Sequence, residues 1–220
     1  MIDLHTHTLF SDGDLVPSEL ARRAEVMGLT AIGLTDHGDS SNIDWIIPRV
    51  VAVAEELNRV MAITVVPGIE ITHVPPVLIP ETARKARSLG AKIIVMHGET
   101  IAEPVAPGTN ASALASDIDI LAHPGLITRE EVLMARGKGI FLEISARKGH
   151  SLANGHVAGL ARETGAKLLI NTDTHAPSDL IDEKTARRIV CGAGLTEEDF
   201  SIMQKSAWQL VQAKMGTAKH

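Results

Sequence analysis

Seven short apolar runs punctuate the chain, at residues 2–4, 31–35, 63–69, 92–96, 118–122, 139–144 and 167–171, each bounded by turn residues. None alternates polar with apolar positions in the manner of a half-exposed strand, so each reads as a strand covered on both faces. The stretches between them carry helical signals. Pro17 opens one with Glu19 in its first turn; Leu20, Ala21, Ala24 and Met27 follow at three- and four-residue steps, and Gly28 stands where a helix should stop. Pro80 and Gly90 bracket a second, and Thr128 with Glu131 has the spacing of a capping box ahead of Val132 and Leu133. Alternation of this kind predicts an α/β fold, a parallel sheet with helices outside it. Closure would give a barrel of about seven strands, with an open doubly wound sheet as the alternative.

Composition narrows the class. A chain of 220 residues suits one domain, 1–220, and no Gly/Ser linker or repeat divides it. No apolar stretch approaches the roughly 18 residues of a membrane helix. The start, Met1-Ile2-Asp3-Leu4-His5, lacks the basic and apolar regions of a signal peptide, so a cytoplasmic protein is expected. Cys191 is the only cysteine, which excludes intrachain disulfides and cysteine-rich zinc sites. Any metal must therefore be held by nitrogen and oxygen. A net charge of −6, 2% aromatic residues and no tyrosine argue against extended nucleic acid as a partner and for a small-molecule substrate.

Polar groups follow the apolar runs systematically. His5 and His7 come after the first run, Asp36 and His37 after the second, then Glu70, His97 and His123, and after the seventh Asp173 and His175. In parallel α/β folds the C-terminal strand ends line the functional face, so these side chains should converge. His5 and His7, two residues apart, point the same way in an extended strand. One histidine beside an apolar run is usually a satisfied core or surface residue, but six of ten placed at one end of successive strands is a different matter. Burying several imidazoles and carboxylates together is costly unless something pairs them, and a metal cluster supplies the pairing. Imidazole with carboxylate suits Zn²⁺, Mn²⁺ or Fe²⁺ better than Ca²⁺ or Mg²⁺. The six histidines with Glu70, Asp173 and Asp12 make nine candidates, enough for about two or three divalent ions if one carboxylate bridges.

These residues form a pattern: His5-Thr6-His7, Ser11-Asp12-Gly13, Thr35-Asp36-His37, Gly68-Ile69-Glu70, His97, His123-Pro124-Gly125 and Asp173-Thr174-His175. In this order they resemble the PHP (polymerase and histidinol phosphatase) domain family, over residues 2 to about 180. The resemblance implies a distorted seven-stranded β/α barrel and a trinuclear site. Carried over residue by residue, His5, His7, Glu70 and Asp173 would hold a first metal. Glu70 would bridge to a second held by His97 and His123, and Asp12, His37 and His175 would hold a third. Some relatives have histidine where this chain has Asp12. Asp36 is not carried over as a ligand and reads as a hydrogen-bond partner that orients a ligand or caps a turn. The chemistry implied is attack of metal-activated water on phosphorus, without a protein nucleophile, centred on Glu70, Asp173 and His175.

The sixth strand end carries Arg147 and Lys148 instead of metal ligands. Arg147, with Lys148 beside it, is a candidate for binding the substrate phosphate; a solvated basic loop is the alternative. Glu143 could be a buried partner of Arg147. His73, His150 and His156 could touch substrate or act as a general acid, or be plain loop residues, and the turn-rich segment 98–109 could form a lip over the site. His220 is expected to be disordered. The leading function is hydrolysis of a small, histidinol-phosphate-like phosphomonoester; the alternative is a nucleotide or oligonucleotide phosphoesterase. An amidohydrolase-like enzyme would leave Asp12, His37 and His175 without a reason to converge. A catalytically idle regulatory module would be marked by lost ligands, and all nine positions retain groups that bind metal.

Overall fold

All seven apolar runs become strands of one parallel sheet, and an eighth, very short strand joins them. The computed structural model describes residues 1–216, so His220 lies outside the described residues. The strands are β1 (Ile2–Asp3), β2 (Ala31–Leu34), β3 (His37–Gly38), β4 (Thr64–Ile71), β5 (Ile93–His97), β6 (Ile120–Ala122), β7 (Phe141–Ser145) and β8 (Leu168–Asn171). The helices between and after them are α1 (Pro17–Val26), α2 (Ile43–Leu57), α3 (Ile79–Ser88), α4 (Thr109–Ala115), α5 (Arg129–Lys138), α6 (Asn154–Thr164), α7 (Glu183–Gly192) and α8 (Glu197–Met215). β2 pairs with the first half of β4 and β3 with its end, so the two act as one stave broken at Thr35-Asp36. The spatial order β1-β2-β4-β5-β6-β7-β8 thus makes a distorted seven-stave parallel barrel surrounded by helices.

The barrel closes through a seam rather than a regular ladder. Past the ends of β1 and β8, Asp173 N donates to His5 O at 2.9 Å and His7 N to Thr174 O at 2.8 Å. Side chains complete the seam: Asn171 Oδ1 accepts from Leu4 N at 2.9 Å, and the Asp3 carboxylate accepts from Thr172 Oγ1 at 2.5 Å and Thr172 N at 3.2 Å. An open sheet, the alternative raised by the sequence, is therefore not what forms.

Every stave contributes to the barrel interior, which includes Leu4, Ala31, Val66, Val95, Ile120, Phe141 and Leu169, and α8 plugs it from below with Ala207 and Val211. A two-residue step then takes several staves from apolar to polar. Ile93 and Val95 lead to His97, Val66 leads through Gly68 to Glu70, and Phe141 leads to Glu143. The interior is thus apolar at the α8 end and polar at the C-terminal strand ends.

The helix signals hold where they were read. Thr128 Oγ1 accepts from Glu131 N at 3.2 Å and Thr128 N donates to Glu131 Oε2 at 2.8 Å, starting α5 with a capping box. Helix α2 runs through Pro48, which offers no N–H to the turn before it. Its buried face of Ile43, Ile46, Ile47, Val50 and Ala54 holds it against the sheet despite that loss.

Asp3 gives the seam a pH dependence. Burial pushes its carboxyl up from 3.8 to about 6, more than the hydrogen bonds from Thr172 and His5 lower it. A raised carboxyl contributes stability that is present below its ordinary value and lost as pH rises through about 6. In Asp3→Asn the amide oxygen can still accept from the backbone while its NH₂ donates to Thr172 Oγ1. We expect metal-free Asp3→Asn to gain on the wild type by up to about 3 kcal/mol at pH 8, with the advantage shrinking toward pH 5. Urea unfolding at the two pH values measures this; a constant difference would remove Asp3 from the pH response.

Candidate metal centre

The strand ends deliver all nine sequence-predicted ligands to one polar region. His5, His7, Glu70, His97, His123 and Asp173 are buried, while His37 and His175 are partly covered and Asp12 lies at the rim. Groups whose ligand atoms lie within 4.8 Å of one another are His5, His7 and Glu70; His5, His123 and Asp173; Glu70, His97 and His123; and His7, Asp12, His37 and His175. A further group, His73, His97 and Glu103, was not foreseen as a set.

Local backbone is bent to achieve this. Among the described residues the non-glycine positions with positive φ are His73 at 51°, His123 at 27° and Asp173 at 55°, all at this site. Gly125, at φ 61°, lets the His123-Pro124-Gly125 turn pass beneath Glu99, whose carbonyl a Cβ would strike. Asp36 accepts from Thr8 N at 2.7 Å, Ser11 Oγ at 2.8 Å and Ser11 N at 3.2 Å. It fastens the loop that carries Asp12, which agrees with reading Asp36 as an organiser.

Hydrogen bonds fix which ring nitrogen faces the centre. His5 Nδ1 donates to Glu143 Oε2 at 2.8 Å, and His37 Nδ1 lies 2.6 Å from Glu70 Oε2. His97 Nδ1 donates to Gly98 O at 3.2 Å. In each case the partner oxygen can only accept, so Nδ1 carries the proton and a neutral ring turns the Nε2 lone pair inward. His5 Nε2 then stands 3.3 Å from Glu70 Oε1 and 3.6 Å from Asp173 Oδ1, and His7 Nε2 3.1 Å from Asp173 Oδ1. At the rim, His37 Nε2 and His175 Nε2 lie 3.5 and 3.2 Å from Asp12 Oδ1 and 3.3 Å from each other.

Lone pairs facing carboxylate oxygens repel unless a cation lies between them. His5 Nε2, both nitrogens of His7, Glu70 Oε1 and His123 Nδ1 are buried without a hydrogen-bond partner. This donor set fits divalent transition metals, and several ions rather than one. The proton equilibria of the metal-free site reflect the same crowding. Burial alone would push His5 down, but Glu143, Glu70 and Asp173 outweigh it and hold the ring well above the ordinary imidazole value. His7 is driven well below it by burial and by His37. Burial raises Asp173, whereas His5 and His37 overcome burial at Glu70 and hold it well below the carboxylate range. Asp12, despite burial, is held below its ordinary value by His175 and His37.

The remaining candidates separate. Arg147 Nη1 donates to Asp173 O at 2.9 Å and lies 2.6 Å from His175 Nδ1, with Nε 3.5 Å from Asp173 Oδ2. Arg147 thus borders the centre, and Lys148 is exposed beside it in an adjoining cleft of about 550 Å³. Glu143 does not pair with Arg147; it serves His5 and accepts from Asn171 Nδ2 at 3.0 Å. His156, on α6, donates from Nε2 to Ile127 O at 2.7 Å. His150 stacks on His123 with centroids 4.1 Å apart, bonds Thr100 Oγ1 at 2.7 Å, and is pushed down to about 3 by burial and His123. The segment 98–109 does form a lip, and its Glu103 was missed because no strand end or motif marks it. Asp12, His37, His73, Glu103, Arg147, His150, Asp173 and His175 help to line a cavity of about 260 Å³ over the centre.

A parallel barrel with His/carboxylate clusters gathered at its strand ends defines a metal-binding hydrolase. The chain belongs to the PHP domain family, whose profile matches residues 3–98. An uncharacterized protein of Methanocaldococcus jannaschii is 51% identical over 199 residues, covering 90% of this chain and 91% of that protein. A "probable phosphatase" of Thermoanaerobacter sp. is 29% identical over 223 residues, covering 90% and 88%. Among solved structures, a histidinol phosphate phosphatase from Lactococcus lactis, complexed with zinc, L-histidinol and phosphate, has a TM-score of 0.61 at 16% identity, covering 88% of this chain and 94% of that one.

A chain of archaeal ribonuclease P with mature tRNA has a TM-score of 0.73 at 15% identity, covering 97% of this chain and 91% of that one. This corrects the expectation that extended nucleic acid is no partner for such a protein. The same fold occurs in an assembly with tRNA, and a net charge summed over the whole chain says little about the field at one face. Among the described residues, no helix is long and apolar enough to cross a membrane.

Proposed function

We propose that the chain is a metal-dependent phosphoesterase that removes a terminal phosphate from a small phosphomonoester, using about two to three Zn, Mn or Fe ions. The observation that carries this reading is the set of buried Nε2 lone pairs and carboxylate oxygens pointing at one another beneath a cavity edged by Arg147. His5, His7, Glu70 and Asp173 would hold one ion, Glu70, His97 and His123 a second, and Asp12, His37 and His175 a third. When bound, such ions acidify water and neutralise phosphoryl oxygens.

The chain's own groups do the positioning. Glu143 keeps His5, and the Gly98 carbonyl keeps His97, in the ligating tautomer. Arg147 offers a planar, permanently charged fork to a phosphate entering the cavity, and Lys148 a point charge at the cleft mouth. The phosphatase-named relative and the zinc- and phosphate-containing histidinol phosphatase fold support phosphate ester chemistry.

The test is phosphate release from a panel of metabolite monoesters, nucleotides and 5′-phosphorylated oligonucleotides, with Mn²⁺, Zn²⁺ and Fe²⁺ added separately. Metal-dependent turnover of small monoesters is expected; no release from any substrate with any of the metals would refute phosphoesterase activity. Turnover confined to oligonucleotides would overturn the small-substrate assignment.

Arg147→Ala is expected to lower kcat/KM about 100-fold, near 3 kcal/mol, while the number of bound metals stays the same. Kinetics with elemental analysis of the same samples checks this. Unchanged kinetics would return Arg147 to the role of a solvated loop residue.

A further inference from the structure

The sequence pattern ends at strand-end ligands, yet one metal-ligating group reaches beyond them. Glu103, on the lip, places Oε2 3.1 Å from His97 Nε2 and 3.1 Å from His73 Nε2, and Oε1 3.5 Å from His150 Nε2. His97 commits its Nδ1 proton to the Gly98 carbonyl, so in the neutral ring the nitrogen facing Glu103 is a lone pair. Two acceptors at that distance need a positive charge between them. Protons would answer this by charging His97 while a neutral His73 donates from Nε2 to the same carboxylate oxygen, with ring centroids 4.7 Å apart. A single divalent cation satisfies both nitrogens and the carboxylate at once.

The lip is fastened so that Glu103 stays there. Glu99 N donates to Asn110 Oδ1 at 3.0 Å, Asn110 N donates to Glu99 Oε1 at 2.9 Å, and Thr100 Oγ1 is bonded to His150. His73 in turn is held at a φ of 51°, which costs backbone energy that a plain surface histidine has no reason to bear.

We propose that His73, His97 and Glu103 form an outer site for a divalent transition metal. Two imidazoles and one carboxylate with one side open to the cavity suit Zn²⁺, Co²⁺ or Mn²⁺. One nitrogen serves one ion, so the outer set and the Glu70, His97 and His123 group are alternative positions for the ion bound at His97. His97 Nε2 faces Glu103, which makes the outer position the one this conformation favours.

Calorimetric titration of the metal-free, full-length protein with Co²⁺, followed in parallel by its visible absorption, tests this without any substrate. Its outcome is therefore independent of whether the protein is a phosphoesterase. Glu103→Gln keeps the shape of an exposed side chain, and His73→Asn keeps a residue that tolerates positive φ. Each is expected to weaken one class of Co²⁺ site at least about tenfold and to change its absorption band, leaving the other classes and the number of ions at saturation as they were. Identical isotherms and spectra for either variant would overturn the outer site. Equal weakening of every class would do so too, because it would reduce Glu103 to a general electrostatic contribution.

Discussion

Glu70→Gln is expected to lower kcat/KM by at least about 1,000-fold, near 4 kcal/mol of lost transition-state stabilisation, and to lower metal content in the same samples. The reason is the way one side chain serves two sets of imidazoles. Oε1 lies 3.3 Å from His5 Nε2 and 3.5 Å from His123 Nε2, while Oε2 lies 2.6 Å from His37 Nδ1 and 3.8 Å from His7 Nε2. The carboxylate is fully buried, so no water can replace what the charge supplies. An amide fills the same volume but turns an NH₂ toward at least one ring nitrogen and cannot bridge two cations. Full metal occupancy with normal turnover in this variant would show that Glu70 is not the bridge.

Chelation is expected to cost the protein much of its thermal stability. Each ion present at about 1,000 times its dissociation constant adds roughly 4 kcal/mol to the folded state. For a chain of this size each kcal/mol moves Tm by about 2–4 °C, so loss of two such ions should lower Tm by roughly 15–30 °C. The structural source is local. Without cations, His7 has both nitrogens buried and unpaired, and Asp173 is pushed upward by burial among other carboxylates. Scanning calorimetry before and after exhaustive chelation, with Mn²⁺ or Zn²⁺ added back, measures the effect. A Tm that does not respond to chelator would mean that the cluster is satisfied by its own protons.

What was legible in the sequence follows from periodicity. Strands covered on both faces leave uninterrupted apolar runs, so β1, β2 and β4 to β8 were visible, and each proposed ligand except Asp12 could be read as a polar residue that follows its run. The two-residue β3 left no such run, although His37 sits on it. Glu143 was visible only as a charge inside an apolar strand. That it serves His5 across 138 residues, and not nearby Arg147, depends on the barrel's curvature. Glu103 lay in a segment marked by turn residues alone, and its approach to His73 and His97 is set by tertiary anchoring through Asn110. The partner expectation failed for a different reason: net charge and aromatic content are sums over the chain, while recognition is decided at one surface.

The central claim is that buried lone pairs and carboxylates at the strand ends are cation sites, and metal stoichiometry tests it most directly. Protein stripped by chelation, reconstituted separately with Zn²⁺, Mn²⁺ and Fe²⁺, freed of excess ion and assayed by elemental analysis should retain about two to three equivalents with at least one of the metals. Retention of at most one equivalent with every metal would contradict the account.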